Sequence, residues 1–286
     1  MSLFFVDSSC DLDVQQIKNL GIECLKIPYE INDQSNSFDD NFDFDKFYSK
    51  LRKGVVLTSK GLKEKDYIKV LSPALEGGDD IVYVYSSNEV FDDKALKSAQ
   101  GKLKNTFPDR RIEFIDSKNI SAGCGYVCFE LAKMYHSGAT IDEILDYSYN
   151  LIDSVANYII VDSLEQLTMM GSIDGSVAVG SSLNVKFVVA IDLDGKIRLV
   201  DKIVGRKKAI AKVIQSIRQI GRNVADNSIF ISSSKADSDI VDLIAKLKEY
   251  FGEELMVYSQ RITPSNAVVL GNGAISIAFK TGKKMH

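Results

Sequence analysis

Short apolar runs that each end in hydroxyl side chains recur along this chain of 286 residues. Runs of about four to eight apolar residues are typical of buried strands. In an open α/β sheet, the ligand crevice lies outside the carboxyl ends of the strands. Hydroxyl groups there can donate to an anionic or carbonyl oxygen without supplying a nucleophile's base, so the pattern predicts a site that holds a polar head group. The runs span residues 4–9, 55–59, 81–87, 114–117, 159–163 and 229–234.

Strand-like and helical patterns alternate through the first half of the chain. A helix is expected from Asp11, a suitable N-cap, to the residue before Gly21. An alternating apolar pattern over 25–31 predicts a half-buried strand, which Pro28 confines to an edge or a start. This βα rhythm favours a mainly parallel sheet flanked by helices, in a first domain of residues 1–157. Further helices are expected near 63–75, 92–105, 122–137 and 141–156, and strands at 81–85 and 112–115.

The second half of the chain predicts a mixed sheet. Apolar runs at 185–191 and 196–204 flank Asp194 and Gly195, which together are a strong signal for a two-residue hairpin turn. The expected fold class is therefore α/β with two domains, of which the second, residues 158–286, contains this antiparallel hairpin. We expect the final strand to contact the first domain. The other expected elements are helices at 206–220 and 238–251 and strands at 228–231, 255–258 and 275–279.

Composition argues against several classes of function. The formal net charge is −4 and the sequence pI is about 5.4. Nucleic acid is therefore not expected as a partner, because that binding needs clustered lysine and arginine. No window approaches the ~20 apolar residues that a membrane span needs. The first residues have neither the basic region nor the apolar stretch of a signal peptide, so we expect a cytoplasmic protein.

Cysteine and histidine are too few and too poorly spaced to predict a metal site. The four cysteines match no zinc-binding pattern. Cys124 and Cys128 lie one helical turn apart and are expected to be small core residues. The two histidines are His136, at the end of a helical pattern, and His286. We therefore predict no metal, no cofactor and no Ser-His-Asp triad.

Two Gly-x-Gly segments could present backbone N–H groups to a ligand. Gly123 and Gly125 follow a strand and open a helix, which is a partial phosphate-binding pattern. The third glycine and the ribose-binding acid of that pattern are missing, so close packing of the helix on the sheet is the favoured explanation. Gly271 and Gly273 precede an apolar run and predict a turn, whose N–H groups are possible ligand contacts.

An enzyme and a different kind of binding protein are the alternatives that the sequence leaves open. Asp7 ends the first strand, and phosphoaspartyl hydrolases use such an aspartate as nucleophile, with a second acid two residues later. Ser9 occupies that position here. A magnesium-dependent phosphohydrolase using Asp7 is the first alternative. The second is a module that binds a small hydrophilic ligand in the cleft between the domains.

A series of short motifs resembles the DegV family over nearly the whole chain. Residues 6–12 read Val-Asp-Ser-Ser-Cys-Asp-Leu, where that family has a strand running into Asp-Ser-Thr-x-Asp-Leu. Each motif is short, but their order and spacing together are fairly specific. The other matching segments are 27–29, 47–51, 58–59, 86–87, 115–118, 121–125, 161–167, 194–197 and 205–209.

The resemblance implies a two-domain α/β protein that binds a long-chain fatty acid in a tunnel between helices and sheet, as a non-catalytic carrier. It also implies a partner, because some family members hold the acyl chain for the catalytic subunit of a bacterial fatty acid kinase. On the family pattern, Thr58 contacts the carboxylate and Ser59 lies nearby. Ser8, Ser87 and Ser121, at strand or helix ends, are further candidates for binding the head group.

Three departures from the family pattern mark a divergent member. After Ser87, the family's Leu-Ser-Gly-Thr-Tyr is replaced by a different sequence over 89–93. The family's Gly-Gly-Arg-Ile is Met-Gly-Ser-Ile at 170–173, which removes an arginine. Its His-x-Gly-Pro-Gly aligns with Val-Leu-Gly-Asn-Gly at 269–273, which removes a histidine.

Overall fold

Strands and helices alternate as the sequence predicts, and the α/β fold class is confirmed. The computed structural model describes residues 2–173, 184–235, 238–282 and 284. The strands are β1 (Ser2–Asp7), β2 (Glu23–Leu25), β3 (Tyr29–Ile31), β4 (Gln34–Asn36), β5 (Leu57–Thr58), β6 (Asp80–Tyr85), β7 (Ile112–Asp116), β8 (Val155–Val161), β9 (Val185–Ile191), β10 (Ile197–Val204), β11 (Ile229–Ser233), β12 (Val257–Arg261) and β13 (Ile275–Lys280). The helices are α1 (Val14–Leu20), α2 (Phe44–Leu51), α3 (Glu64–Glu76), α4 (Lys94–Thr106), α5 (Ser121–His136), α6 (Ile141–Asp153), α7 (Glu165–Met169), α8 (Arg206–Ile220), α9 (Ser238–Phe251) and α10 (Pro264–Leu270).

The first sheet is parallel, with the strand order β2-β1-β6-β7. The chain leaves β1 towards β2 on one side and later returns to β6 on the other, so the direction of strand addition reverses between β1 and β6. Open sheets bind ligands outside the carboxyl ends of the strands at such a switch point. Asp7 and Tyr85, the last residues of β1 and β6, mark this point.

The second sheet is mixed, with the strand order β10-β9-β8-β13-β11-β12. The predicted hairpin is confirmed, because β9 and β10 pair in antiparallel fashion on either side of Asp194 and Gly195. Gly195 has a φ of 90°, which a residue with a side chain rarely adopts. β13 lies between β8 and β11 and runs antiparallel to both.

Helix α5 lies between the two sheets and is buried along most of its length. The rings of Tyr126 and Phe129 on this helix each lie 5.3 Å from the ring of Phe230 on β11. The same hydrophobic cluster includes Phe4 of β1 and Ala278 of β13. The apolar core is therefore continuous from the first sheet to the second.

The predicted domain boundary at residue 157 falls inside β8. This strand pairs with β9 and β13, so residues 155–157 belong to the second sheet. Asn157 also donates from Nδ2 to the carbonyl oxygen of Ile120 at 2.9 Å, which links β8 to the start of α5. The division into residues 1–157 and 158–286 stays a prediction.

Two predictions about individual elements are wrong: the start of the first helix and the single strand over residues 25–31. Helix α1 begins at Val14, because Asp13 forms a capping box with Gln16, whereas Asp11 adopts a φ of 57° in the preceding turn. The single strand predicted over 25–31 is two strands, β2 and β3, which belong to different sheets. Pro28 lies between them and has no N–H for a strand ladder.

Candidate functional site

A cavity of about 390 Å³ lies at the switch point of the first sheet. Its base contains Asp7 at the end of β1, Ser9 in the following turn and Ser86 directly after β6. Helices α3, α4 and α10 and the loop after β5 surround it. The cavity therefore combines a small polar base with a larger body of apolar and aromatic groups. These wall residues are Ile27, Leu62, Tyr67, Tyr85, Phe91, Leu96, Met170 and Val268.

Asp7 brings a buried carboxyl group to the base of the cavity. Its Oδ1 accepts hydrogen bonds from the backbone N–H of Ser9 at 2.8 Å and from the Ser9 hydroxyl. Its Oδ2 accepts from the Tyr83 hydroxyl at 2.9 Å. Burial outweighs these donors and raises the pKa of Asp7 to about 6. A ligand that changes the surroundings of Asp7 can therefore change its protonation near neutral pH.

Two hydroxyl groups connect the cavity to Asp7. Ser86 Oγ donates to Ser9 Oγ at 2.7 Å, and Ser9 Oγ donates in turn to Asp7. While Asp7 is ionised, both hydroxyl protons point towards it, so Ser86 offers only lone pairs to the cavity. Protonation of Asp7 allows this chain of hydrogen bonds to reverse, and Ser86 can then donate to a ligand oxygen. The arrangement suits a carboxyl head group whose binding is coupled to a proton.

Charged side chains surround the opening of the cavity. Lys60, Asp92, Asp93 and Lys94 belong to its lining. Lys60 Nζ lies 2.9 Å from a carboxylate oxygen of Glu30, and Lys94 Nζ lies 3.6 Å from one of Asp92. Both lysine side chains are largely exposed, although Glu30 is mostly buried, and ion pairs at the surface contribute little to stability. Either lysine can therefore turn towards an incoming anion at small cost.

The two residues expected from the family pattern lie at the end of β5 and in the loop after it. Ser59 lines the cavity, donates its hydroxyl to the Pro28 carbonyl at 2.9 Å and accepts the Gly61 N–H at 3.2 Å. Thr58 lies outside the cavity wall and is half-buried in the small antiparallel sheet β4-β3-β5. Its Oγ1 faces Glu30 at 3.5 Å. Ser59 is thus the member of the pair that faces the cavity.

The other three predicted serines are buried in contacts within the protein. Ser8 Oγ accepts a backbone N–H from the segment after β2 at 3.0 Å. Ser87 Oγ donates to the Gly195 carbonyl at 2.8 Å, which ties β6 to the hairpin turn. Ser121 Oγ donates to Asp11 Oδ2 at 2.6 Å. A head group would have to compete with these partners for each hydroxyl.

The two glycines proposed as backbone contacts lie after helix α10, away from the base of the first cavity. Gly271 ends this helix with a φ of 72° and lines a second cavity. The N–H of Gly273 donates to Ser234 Oγ at 2.8 Å, and its carbonyl accepts from Arg206 at 2.7 Å. The N–H of Gly273 is therefore already occupied.

Several residues of the base and wall could not be singled out from the sequence. In the sequence, Ser9 was notable only because it occupies the position where a phosphoaspartyl hydrolase has its second acid. Ser86 is the first of the two serines that close the run 81–87. Side chains alternate between the two sides of an extended chain, so the run does not say which of the two serines faces a cavity. Ser265 and Val268 belong to α10, whose 7 residues are too few for a helical period to be recognised.

The described residues contain neither a side-chain group typical of a metal centre nor a helix typical of a membrane span. Within them, no three His, Cys, Asp or Glu side chains are grouped so that they could hold a metal ion. Cys124 and Cys128 are buried in α5, with their sulfurs 3.8 Å apart. His136 is in the last turn of α5, and His286 lies outside the described residues. Over the same part of the chain, no helix is both long and apolar enough to cross a membrane.

Known proteins match this chain along nearly its whole length. The sequence model of the DegV family, described as uncharacterised proteins, matches residues 4–281. A DegV domain-containing protein of Clostridium perfringens is 26% identical over 255 residues, which are 87% of this chain and 87% of that protein.

Two solved structures resemble the fold closely. A DegV family protein from Eubacterium eligens, loaded with heptadecanoic acid, has a TM-score of 0.83 at 16% identity and covers 98% of this chain and 100% of its own. The fatty acid kinase B3 protein of Streptococcus pneumoniae, loaded with linoleic acid, has a TM-score of 0.84 at 16% identity, with the same coverage of 98% and 100%. At this identity, the likeness establishes the fold alone.

Proposed function

The chain belongs to the DegV family, and on that premise we propose that it binds a long-chain fatty acid or a similar acyl lipid without transforming it. The observation that carries the proposal is the cavity at the switch point, with its polar base and apolar walls. The matching proteins of Eubacterium eligens and Streptococcus pneumoniae hold heptadecanoic acid and linoleic acid. In this chain the carboxyl head group contacts Ser86 and Ser59, and the tail lies against the apolar wall.

The tail supplies most of the affinity. Burial of about fifteen methylenes at about 0.8 kcal/mol each contributes roughly 12 kcal/mol gross, and lost freedom on binding offsets at least about 4 kcal/mol of it. One head-group hydrogen bond contributes about 1 kcal/mol net, or about 1.5–3 kcal/mol when a partner is charged, which is less than the tail supplies. Ser172 and Val269, which replace the family's arginine and histidine, are therefore compatible with tight binding. Lys60 at the opening supplies a cation.

Thr58 joins the head group when the ligand binds. Its contact with Glu30, at 3.5 Å, is at the long limit of a hydrogen bond. Lys60 pairs with the same carboxylate, so a turn of Lys60 towards the ligand also loosens the surroundings of Thr58. Ser8 and Ser121 support the site from behind, through the hydrogen bonds described above.

Native mass spectrometry of the purified protein tests this function directly. We expect an adduct of the mass of a long-chain fatty acid and, after removal of lipid, saturable uptake of a fluorescent fatty acid that palmitate displaces. Hexanoate, with the same head group and a short tail, is the matched control and should not displace it. An adduct of small hydrophilic mass would favour the alternative of a polar-ligand module. Absence of both adduct and uptake would overturn the proposal.

Phosphate-ester hydrolysis by Asp7 is the competing function. Both Asp7 oxygens already accept hydrogen bonds, and Ser9 stands where a hydrolase would need its acid. A missing general acid removes about 10²–10⁴-fold of rate. Magnesium-dependent phosphate release from a panel of phosphorylated metabolites, abolished in Asp7→Asn, would support hydrolysis. Lipid binding without such turnover supports the carrier.

Presentation of the bound acid to a fatty acid kinase extends the same proposal. It is supported by the likeness to the fatty acid kinase B3 protein of Streptococcus pneumoniae. Incubation of the lipid-loaded protein with ATP and the catalytic subunit of a fatty acid kinase should yield acyl phosphate, and the lipid-free protein should yield none. Failure to form acyl phosphate from tightly bound acid would limit the function to that of a carrier.

A further inference from the structure

A second cavity, of about 380 Å³, lies beside the first, against the same helix α10. Val268 of α10 lines both cavities. At the end of α7, Met169 lines the second cavity and Met170 the first. Along β5 and the loop after it, Leu57 lines the second cavity and Ser59 the first. Three separate segments thus pass from one cavity to the other, so the two are neighbours with a shared wall.

The chemistry of the second cavity suits hydrocarbon. A tail that enters it leaves water and contacts aliphatic side chains on several sides, which is the favourable transfer that binds apolar groups. Glu165, Gln166 and Asn272 are its polar members. Two of its aliphatic residues, Val56 and Met169, are 59% and 75% exposed. The aliphatic wall residues are Leu51, Val55, Val56, Leu57, Met169, Ala267 and Val268.

We propose that the two cavities form one acyl channel, that Val268 is its constriction, and that this side chain sets the length of chain the protein accepts. The inference rests on the proposed function. The head group occupies the polar base at Ser86, and the tail passes Val268 into the second cavity. Val268 is 8% exposed and lines both cavities, so its side chain lies on the boundary that the tail has to cross.

Chain-length selectivity is the measurable consequence. A methylene that reaches an apolar wall contributes about 0.8 kcal/mol, which corresponds to about 4-fold in Kd. In the wild-type protein, affinity should therefore keep rising from laurate through palmitate to stearate. Three methylenes excluded from the second cavity would lower the affinity about 50-fold.

Val268→Phe is the decisive variant, because a phenyl ring fills the passage and leaves the polar base unchanged. We expect the ratio of its stearate affinity to its laurate affinity to fall about 50-fold or more below the wild-type ratio. Val241→Phe makes the same substitution on α9, where the valine is 67% exposed and outside both cavities. This control should keep the wild-type preference for stearate. An unchanged ratio of stearate to laurate affinity in folded Val268→Phe would overturn the inference.

A second experiment needs no change to the protein. Palmitic acid with a diazirine at its terminal carbon is bound to the wild-type protein, irradiated and mapped by peptide mass spectrometry. Labels on residues 51–57, or on Met169, are expected from a tail in the second cavity. Labels confined to Tyr67 and Leu96, on the α3–α4 side of the first cavity, would overturn the channel even if Val268→Phe fails to fold.

These outcomes separate the channel from the function on which it rests. A wild-type protein that binds neither laurate nor stearate contradicts the proposed function. If the wild-type protein binds both acids, the labels stay in the first cavity and Val268→Phe leaves the stearate-to-laurate ratio unchanged, only the channel is contradicted.

Discussion

The carboxylate of Asp11 accepts both the backbone N–H and the hydroxyl of Thr263, each at 2.8 Å, across 252 positions of the sequence. Asn266 Nδ2 donates to the same oxygen at 2.8 Å, and Ser121 donates to the other at 2.6 Å. Thr263 is the N-cap of α10, which lines both cavities. The turn after the first strand therefore holds in place a helix that forms the cavity wall.

Removal of this carboxylate should destabilise the whole protein. In Asp11→Ala, the buried backbone N–H of Thr263 and the buried hydroxyl of Ser121 lose their acceptor. The Thr263 hydroxyl and Asn266 keep backbone carbonyls as acceptors but lose their bonds to the carboxylate. We expect the free energy of unfolding to fall by about 3 kcal/mol or more. Asp13→Ala, two positions away, removes only the exposed cap of α1 and should cost about 1 kcal/mol. Urea denaturation at pH 7 measures both. Equal losses would contradict the role of Asp11 as a tie between distant segments.

The stability of the protein should depend on pH through Asp7. Burial raises the pKa of Asp7 to about 6, whereas an unfolded aspartate titrates near about 3.9. Between these values the folded state holds the proton more tightly, so stability falls as the pH rises from about 4 to about 6 and then levels off.

The Asp7→Asn variant isolates this effect, because asparagine does not titrate and the other carboxyl groups are common to both proteins. The difference in free energy of unfolding between the wild-type protein and Asp7→Asn should shift towards the wild-type protein by up to about 3 kcal/mol as the pH is lowered from 7 to 4. Denaturant melts at several pH values give this difference. A constant difference would mean that Asp7 has an ordinary pKa.

The contact between α5 and the first turn should tolerate no added carbon. A Cβ on Gly125 would lie 2.5 Å from the carbonyl oxygen of Cys10, so the glycine serves close packing. Gly125→Ala should cost about 1–3 kcal/mol of stability through overpacking. Gly101, on the exposed face of α4, has no such neighbour, and Gly101→Ala should stabilise the protein by about 0.4–1 kcal/mol. Thermal melts that move in the same direction would contradict this assignment.

Adjacent serines should have different roles in ligand binding. Ser86 lines the first cavity, whereas Ser87 is bonded to the Gly195 carbonyl. Ser86→Ala should weaken palmitate binding about 5-fold, the equivalent of one hydrogen bond of about 1 kcal/mol. Ser87→Ala should lower stability and leave the affinity of the folded protein unchanged. Titration calorimetry on both variants decides, and the opposite pattern would make Ser87 the head-group residue.

Sequence patterns were sufficient for the fold class because they are local. The 3.6-residue and two-residue periods, and a turn pair such as Asp194 and Gly195, act within a few positions of the chain. The motif beginning at Val6 carries the family resemblance in the same way. The sequence pattern did not predict that residues 25–31 divide into two strands, because the pairing of a strand depends on partners elsewhere in the sequence.

Packing between distant segments decides which hydroxyl groups face the cavity. A strand places successive side chains on opposite sides, so residues 81–87 could offer either serine to a cavity. The side that is open depends on α10, which Asp11 and Thr263 bring to the end of the first sheet. Local periodicity in the sequence therefore determines that this chain forms a parallel sheet with polar residues at the strand ends. Long-range hydrogen bonds and close packing then determined that Asp7, Ser9 and Ser86 meet there, because no short-range pattern records which distant segment covers them.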